Sequence, residues 1–160
     1  RQHFEESGFT PAMATTAVST IAGMGIFSKL AFGRASEKIT ARIATILSIA
    51  LQMVGVLIIA QVDASHLLWL GIFVFGLGFG GLGALALLVV QEMFGMKEFG
   101  GIMGIMQVGM IASGTGAPMM AGAIHDSSGS FDSAFLIVAA IFVVGIAALA
   151  LARPIETERM

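Results

Sequence analysis

Five stretches of this chain run for at least twenty residues with no Asp, Glu, Lys or Arg: Ser7 to Ser28, Ile43 to Val62, Ala64 to Gln91, Phe99 to Ile124 and Ser133 to Ala152. An α-helix rises about 1.5 Å per residue, so roughly twenty residues cross the ~30 Å hydrocarbon layer of a bilayer. The pattern predicts five transmembrane helices, over about 9–31, 42–62, 66–91, 99–124 and 132–152, followed by a short cytoplasmic tail at 153–160. A soluble helical bundle would keep a polar face on each helix, whereas 43–62 and 133–152 read as apolar around the whole circumference. The expected fold is an all-α membrane protein, with 1–160 forming a single membrane domain.

Composition strengthens that reading. Hydrophobic residues make up 57% of the chain and charged residues 11%, against roughly 25% charged in ordinary soluble domains. Too little charge is present to cover a water-facing surface. There is no cysteine, which excludes disulfides and thiolate metal sites. A net charge of -2 and a short basic cluster give no nucleic-acid surface. The opening residues RQHFEES contain two acids and no short apolar core, so they do not form a signal peptide. The chain also opens without Met, and it is expected to be part of something longer.

The connectors carry the orientation. Lys29, Arg34, Lys38, Arg42, Lys97, Arg153 and Arg159 fall on one side of the five spans and Arg1 on the other, while the ten acids divide five to five. Lys and Arg, not net charge, set topology. The basic side is therefore expected to be cytoplasmic in a multi-pass protein of the cell inner or plasma membrane, with the N-terminus outside and the C-terminus inside.

Four of the eight basic residues cluster between Lys29 and Arg42, around the segment GRASEKITAR at 33–42. Gly33, then Glu37, Lys38 and Arg42, resembles the cytoplasmic Gly-x-x-x-Asp-Arg-x-Gly-Arg-Arg signature of the major facilitator superfamily. Glu37 stands for Asp, Thr40 for Gly and Ala41 for the first Arg of the closing pair. Such degenerate copies are typical of the second occurrence, between helices 8 and 9. The remainder follows the same register: an apolar helix, a Gly-rich helix ending in QEMFG, a Gly- and Pro-studded stretch, then Gly122, Asp126, Gly129, Ser130 and Phe131 before a last apolar helix. This order is similar to helices 9 to 12 of major facilitator carriers, particularly those of the oxalate/formate and monocarboxylate branch.

The resemblance implies five helices of a C-terminal six-helix bundle, hence a fragment of a secondary active transporter moving a small solute by alternating access. A monocarboxylate is the solute class that the branch suggests. The implied partners are the lipid bilayer, the missing N-terminal half of the same carrier, and the solute together with a coupling proton or counter-anion. It further implies a conformational latch at Gly33, Arg34, Glu37, Lys38 and Arg42. Physically, a carboxylate such as Glu37 gains about 0.3 to 1 kcal/mol when docked at a helix N-terminus. The basic residues could equally serve only as anchors at anionic headgroups. A self-contained helical membrane scaffold, without transport activity, is the alternative reading.

Candidate chemistry inside the spans is sparse. Residues 76, 78 and 81 spell Gly-x-Gly-x-x-Gly, but a dinucleotide site needs that pattern at a strand-to-helix turn, not within an apolar span. Gly76 with Gly80, and Gly100 with Gly104, instead give four-residue spacings that let helix backbones approach closely. Pro118 removes a backbone donor within the fourth span and could mark a hinge. Thr16, Ser19 and Thr20 are among the polar positions of the first span, and Gln107 is the one amide in the fourth. Hydroxyls in membrane helices commonly bond their own backbone, whereas an amide is costly in lipid and belongs against protein or water. These four are the candidate solute contacts. No Lys or Arg lies in Ser7–Ser28 or Phe99–Ile124, so an anionic solute would need a cation from elsewhere or a proton of its own. No nucleophile, metal or cofactor motif occurs, and no enzyme is expected.

Overall fold

A computed structural model describes residues 11–60, 65–129 and 132–152. They form five helices: α1 Pro11–Ile39, α2 Ala41–Ala60, α3 Ser65–Phe94, α4 Phe99–Ser128 and α5 Asp132–Leu151. No strand occurs among the described residues. Helix boundaries have local causes. Pro11 opens α1, where its missing N–H costs nothing. Gly95 and Gly129 close α3 and α4 in the left-handed conformation, at φ 71 and φ 70, and donate their N–H groups to Gln91 O and His125 O.

The helices α1, α2, α3 and α5 are long and apolar enough to cross a membrane. α4, at 30 residues, has the length, but its Gly, Ser, Thr and Gln residues dilute its hydropathy. Two expectations need revision. The segment 33–39, a connector between the spans 9–31 and 42–62, is helical: α1 continues to Ile39, and only Thr40 separates it from α2. Nor is 43–62 apolar on every side, because α2 buries Thr45, Ser48 and Gln52 on one face. Their spacing of three and four residues aligns them on a single stripe, and that stripe lies in the protein interior.

α3 is the centre of the bundle, with α1 on one side and α2 on the other. Glycine makes this possible on both faces. A Cβ on Gly80 would lie 2.2 Å from the Cα of Gly25 in α1, and one on Gly76 would lie 3.1 Å from Met24 Cβ. Towards α2, a Cβ on Gly78 would lie 2.7 Å from Ser48 O. Such contacts let dispersion and interhelical hydrogen bonds hold helices together where lipid offers no hydrophobic gain. Two buried hydroxyls use that proximity: Ser28 Oγ donates to Leu77 O, and Ser48 Oγ to Gly78 O at 2.7 Å. Both fall on the same turn of α3. Leu85 and Val90 fill the space beyond. α5 packs on α2, whereas α4 touches only α3 and α5, and slightly. No residue of α4 is buried.

Candidate functional site

The signature segment lies where the end of α1, the start of α2 and the ends of α3 and α5 converge. Thr40 caps α2: its carbonyl accepts from Ala44 N at 3.1 Å and its Oγ1 from Ile43 N at 3.4 Å, a long bond. It does so at φ 77, a conformation that costs a β-branched residue of order 1 kcal/mol or more. Thr40 occupies the position at which the signature has glycine, and this backbone angle gives the physical reason for glycine there.

Two charged side chains complete the junction. Glu92, from the last turn of α3, accepts the Ala41 N–H at 2.6 Å, satisfying one of the four orphan donors at the start of α2. Arg42 reaches the other way. Its Nε donates to Leu149 O at 2.7 Å and its Nη2 to Ala150 O, so a cation sits on the carbonyl end of α5, where the helix dipole favours it. Beneath these bonds Ala41, Val89 and Met93 form an apolar contact with Leu149 and Ala152.

The expected latch residues therefore divide. Arg42 is engaged within the bundle. Arg34, Glu37 and Lys38 are exposed on the final turns of α1, and Gly33 lies half-buried one turn back, its carbonyl bonded by Ser36 Oγ at 2.7 Å. Glu37 shares an open cleft of about 400 Å³ with Ser36, Ala41, Leu88, Gln91 and Glu92. Two carboxylates thus border one hollow at this end of the bundle.

The candidate solute contacts do not meet. Thr16, Ser19 and Thr20 lie on α1 and Gln107 on α4, and these two helices make no contact. Thr16 Oγ1 donates to Ala12 O and Thr20 Oγ1 to Thr16 O, each at 2.8 Å. Their protons are committed to backbone, which leaves only lone pairs to offer a solute. Ser19 and Gln107 are exposed. On α4, a Cβ at Gly100 or Gly104 would meet nothing within 4 Å, and the helix runs unbroken through Pro118. The sequence reading omitted Ser28, Ser48, Gln52 and Glu92. For Ser48 and Gln52 a signal existed in their helical spacing with Thr45; for Glu92 there was none, because its partner is 51 residues away.

Length, hydropathy and the convergence of helix ends define a multi-pass, all-α integral membrane protein. Residues 3–159 match the family model of the Major Facilitator Superfamily, and the chain belongs to that superfamily, whose members are transporters. No curated protein matches it, and no solved structure does.

Proposed function

We propose that the chain forms helices 8 to 12 of a secondary active transporter, in the C-terminal half, and that the whole carrier moves a small monocarboxylate by alternating access. The family match over residues 3–159 carries this reading. It is supported by α4, a 30-residue helix with no buried residue, as suits a helix whose partners belong to the N-terminal half of the carrier. The basic end of the bundle is cytoplasmic in this scheme, and rocking of the two halves exposes a midplane site to each side in turn.

Hydroxyl chemistry deepens the solute assignment. A carboxylate at the midplane without a positive partner would cost several kcal/mol in desolvation. Thr16 and Thr20 have already donated their protons to backbone, so they suit a solute that is itself a donor. A monocarboxylic acid carried with its proton meets both conditions. Gln107 and Ser19 supply further neutral bonds of roughly 0.5 to 1.5 kcal/mol each. Gating falls to Arg34, Glu37 and Lys38, which are exposed and free to pair across the interface between halves, because Arg42 is occupied by α5.

The test is uptake by the full-length carrier in proteoliposomes. Lactate entry should rise with an inward proton gradient and collapse with a protonophore. Glu37→Gln should shift the outward/inward ratio, read by cysteine accessibility, and slow turnover while leaving insertion intact. Lactate uptake indifferent to the proton gradient would overturn the proton-coupled reading, and an unchanged ratio in Glu37→Gln would remove the latch.

A further inference from the structure

Hydroxyls along these helices are commonly spent on their own backbone. Thr16, Thr20, Thr45 and Thr115 each donate to the carbonyl four residues back on the same helix, a habit of Ser and Thr in apolar surroundings. Ser28 and Ser48 behave differently. Both are fully buried, and they reach α3 from opposite sides: Ser28 Oγ donates to Leu77 O, and Ser48 Oγ to Gly78 O at 2.7 Å. α3 is α-helical without interruption over 65–94, so these two carbonyls also accept from the amides of Gly81 and Leu82. Two successive rungs of one helix are thus doubly bonded.

They fall in the stretch 76–81, GLGFGG, where four of six residues are glycine. Close approach of α1 and α2 accounts for the glycines at 76, 78 and 80. Their consequence for α3 itself is a weak stretch, since glycine forms helix less readily than any residue except proline. In lipid such a stretch is ordinarily held shut, because opening a rung strands a carbonyl that no water can reach. Here the carbonyl keeps a partner. If the Gly81 or Leu82 amide leaves, the serine hydroxyl remains on Leu77 O or Gly78 O, and the released N–H can turn to the carbonyl three residues back, as in a 3₁₀ turn. Glycine tolerates the change of backbone angle.

We propose that Ser28 and Ser48 make residues 77–82 a pivot in α3, a turn that passes between α-helical and 3₁₀ bonding while its carbonyls stay satisfied. The pivot is fixed in place because α1 and α2 grip it from both sides, and the parts of α3 on either side of it change direction about that point.

Residue-resolved amide hydrogen exchange on the full-length carrier in nanodiscs tests this, because a pivot and a plain structural bond call for opposite signs. In the wild type, Gly81 and Leu82 should exchange about tenfold faster than the packed Val89 and Val90, once intrinsic rates are corrected for side chain. Ser28→Ala removes the hydroxyl that covers Leu77 O, so opening now strands that carbonyl. Exchange at Gly81 should slow by about fivefold, the equivalent of one neutral hydrogen bond, with Leu82 changed less. Ser48→Ala should do the same at Leu82, and the double variant should slow both. Faster or unchanged exchange at 81 and 82 in the alanine variants would mean that the serines only hold helices together, and would overturn the pivot. Should neither variant fold, the wild type still decides, because protection at Gly81 and Leu82 equal to that at Val89 and Val90 overturns it as well.

Discussion

The contact of Gly25 in α1 against Gly80 in α3 is asymmetric, and that asymmetry yields a sharp prediction. A Cβ added at Gly80 lies 2.2 Å from Gly25 Cα, 2.7 Å from its oxygen and 2.8 Å from its carbonyl carbon. All three are backbone atoms, so no side chain can swing aside. Restoring ordinary contact at 3.4 Å requires α1 and α3 to separate by about 1.2 Å, and overpacking of that kind costs typically 1 to 3 kcal/mol. The Ser28 hydroxyl bond to Leu77 O, one turn away, would stretch as well and forfeit up to about 1 kcal/mol more. By contrast, a Cβ at Gly25 lies 3.6 Å from Gly80 Cα, an ordinary contact, and one at Gly83 meets nothing within 4 Å. Alanine at either of these gains roughly 0.5 to 1 kcal/mol of helix propensity. Thermal unfolding of the detergent-solubilised full-length protein should therefore rank Gly83→Ala and Gly25→Ala at or above wild type and Gly80→Ala clearly below. If Gly80→Ala melts with Gly83→Ala, the two backbones are not in contact and the α1–α3 seam is wrong.

Thr40→Gly should raise the melting temperature: relief of the left-handed strain is worth about 1 kcal/mol or more, while exchanging a Thr cap for Gly loses only a few tenths. Glu92→Gln should lower stability by roughly 1 kcal/mol through loss of charge at the start of α2; an unaltered melt would show that a neutral carbonyl acceptor serves Ala41 N as well as the carboxylate does. Gln52→Ala, in a buried position, should destabilise the protein without a specific effect on solute affinity. Gln107→Ala, in an exposed one, should leave the melt unchanged and weaken lactate affinity by about one neutral hydrogen bond, a few-fold to tenfold; the reverse pattern would exchange their roles. Single cysteines at Ser36 and Ser65, in a chain with no native cysteine, should label from opposite faces of a sealed membrane, and labelling of both from one face would remove the five-span topology.

Much of the architecture was legible in one dimension. Bilayer thickness converts directly into a count of uncharged residues, which is why the five intervals correspond to five helices. The left-handed glycines at 95 and 129 terminate helices by a local steric rule. The signature was legible too, as a spacing of Gly33, Glu37, Lys38 and Arg42. What it contacts was not. Arg42 bonds carbonyls 107 and 108 residues away, and backbone carbonyls have no sequence identity by which such a partner could be found. Glycine was visible as a seam, but only packing shows that Gly80 meets α1, that Gly78 meets α2, and that Gly100 and Gly104 meet no neighbour among the described residues. Thr45, Ser48 and Gln52 follow the same rule. Their polarity is a property of the chain, whereas their burial depends on how α2 is rotated against α3. Hydropathy and steric limits act on each residue and its neighbours, so the sequence determines the helices and their ends; rotation and contact depend on pairs of helices at once, and only the tertiary structure decides them.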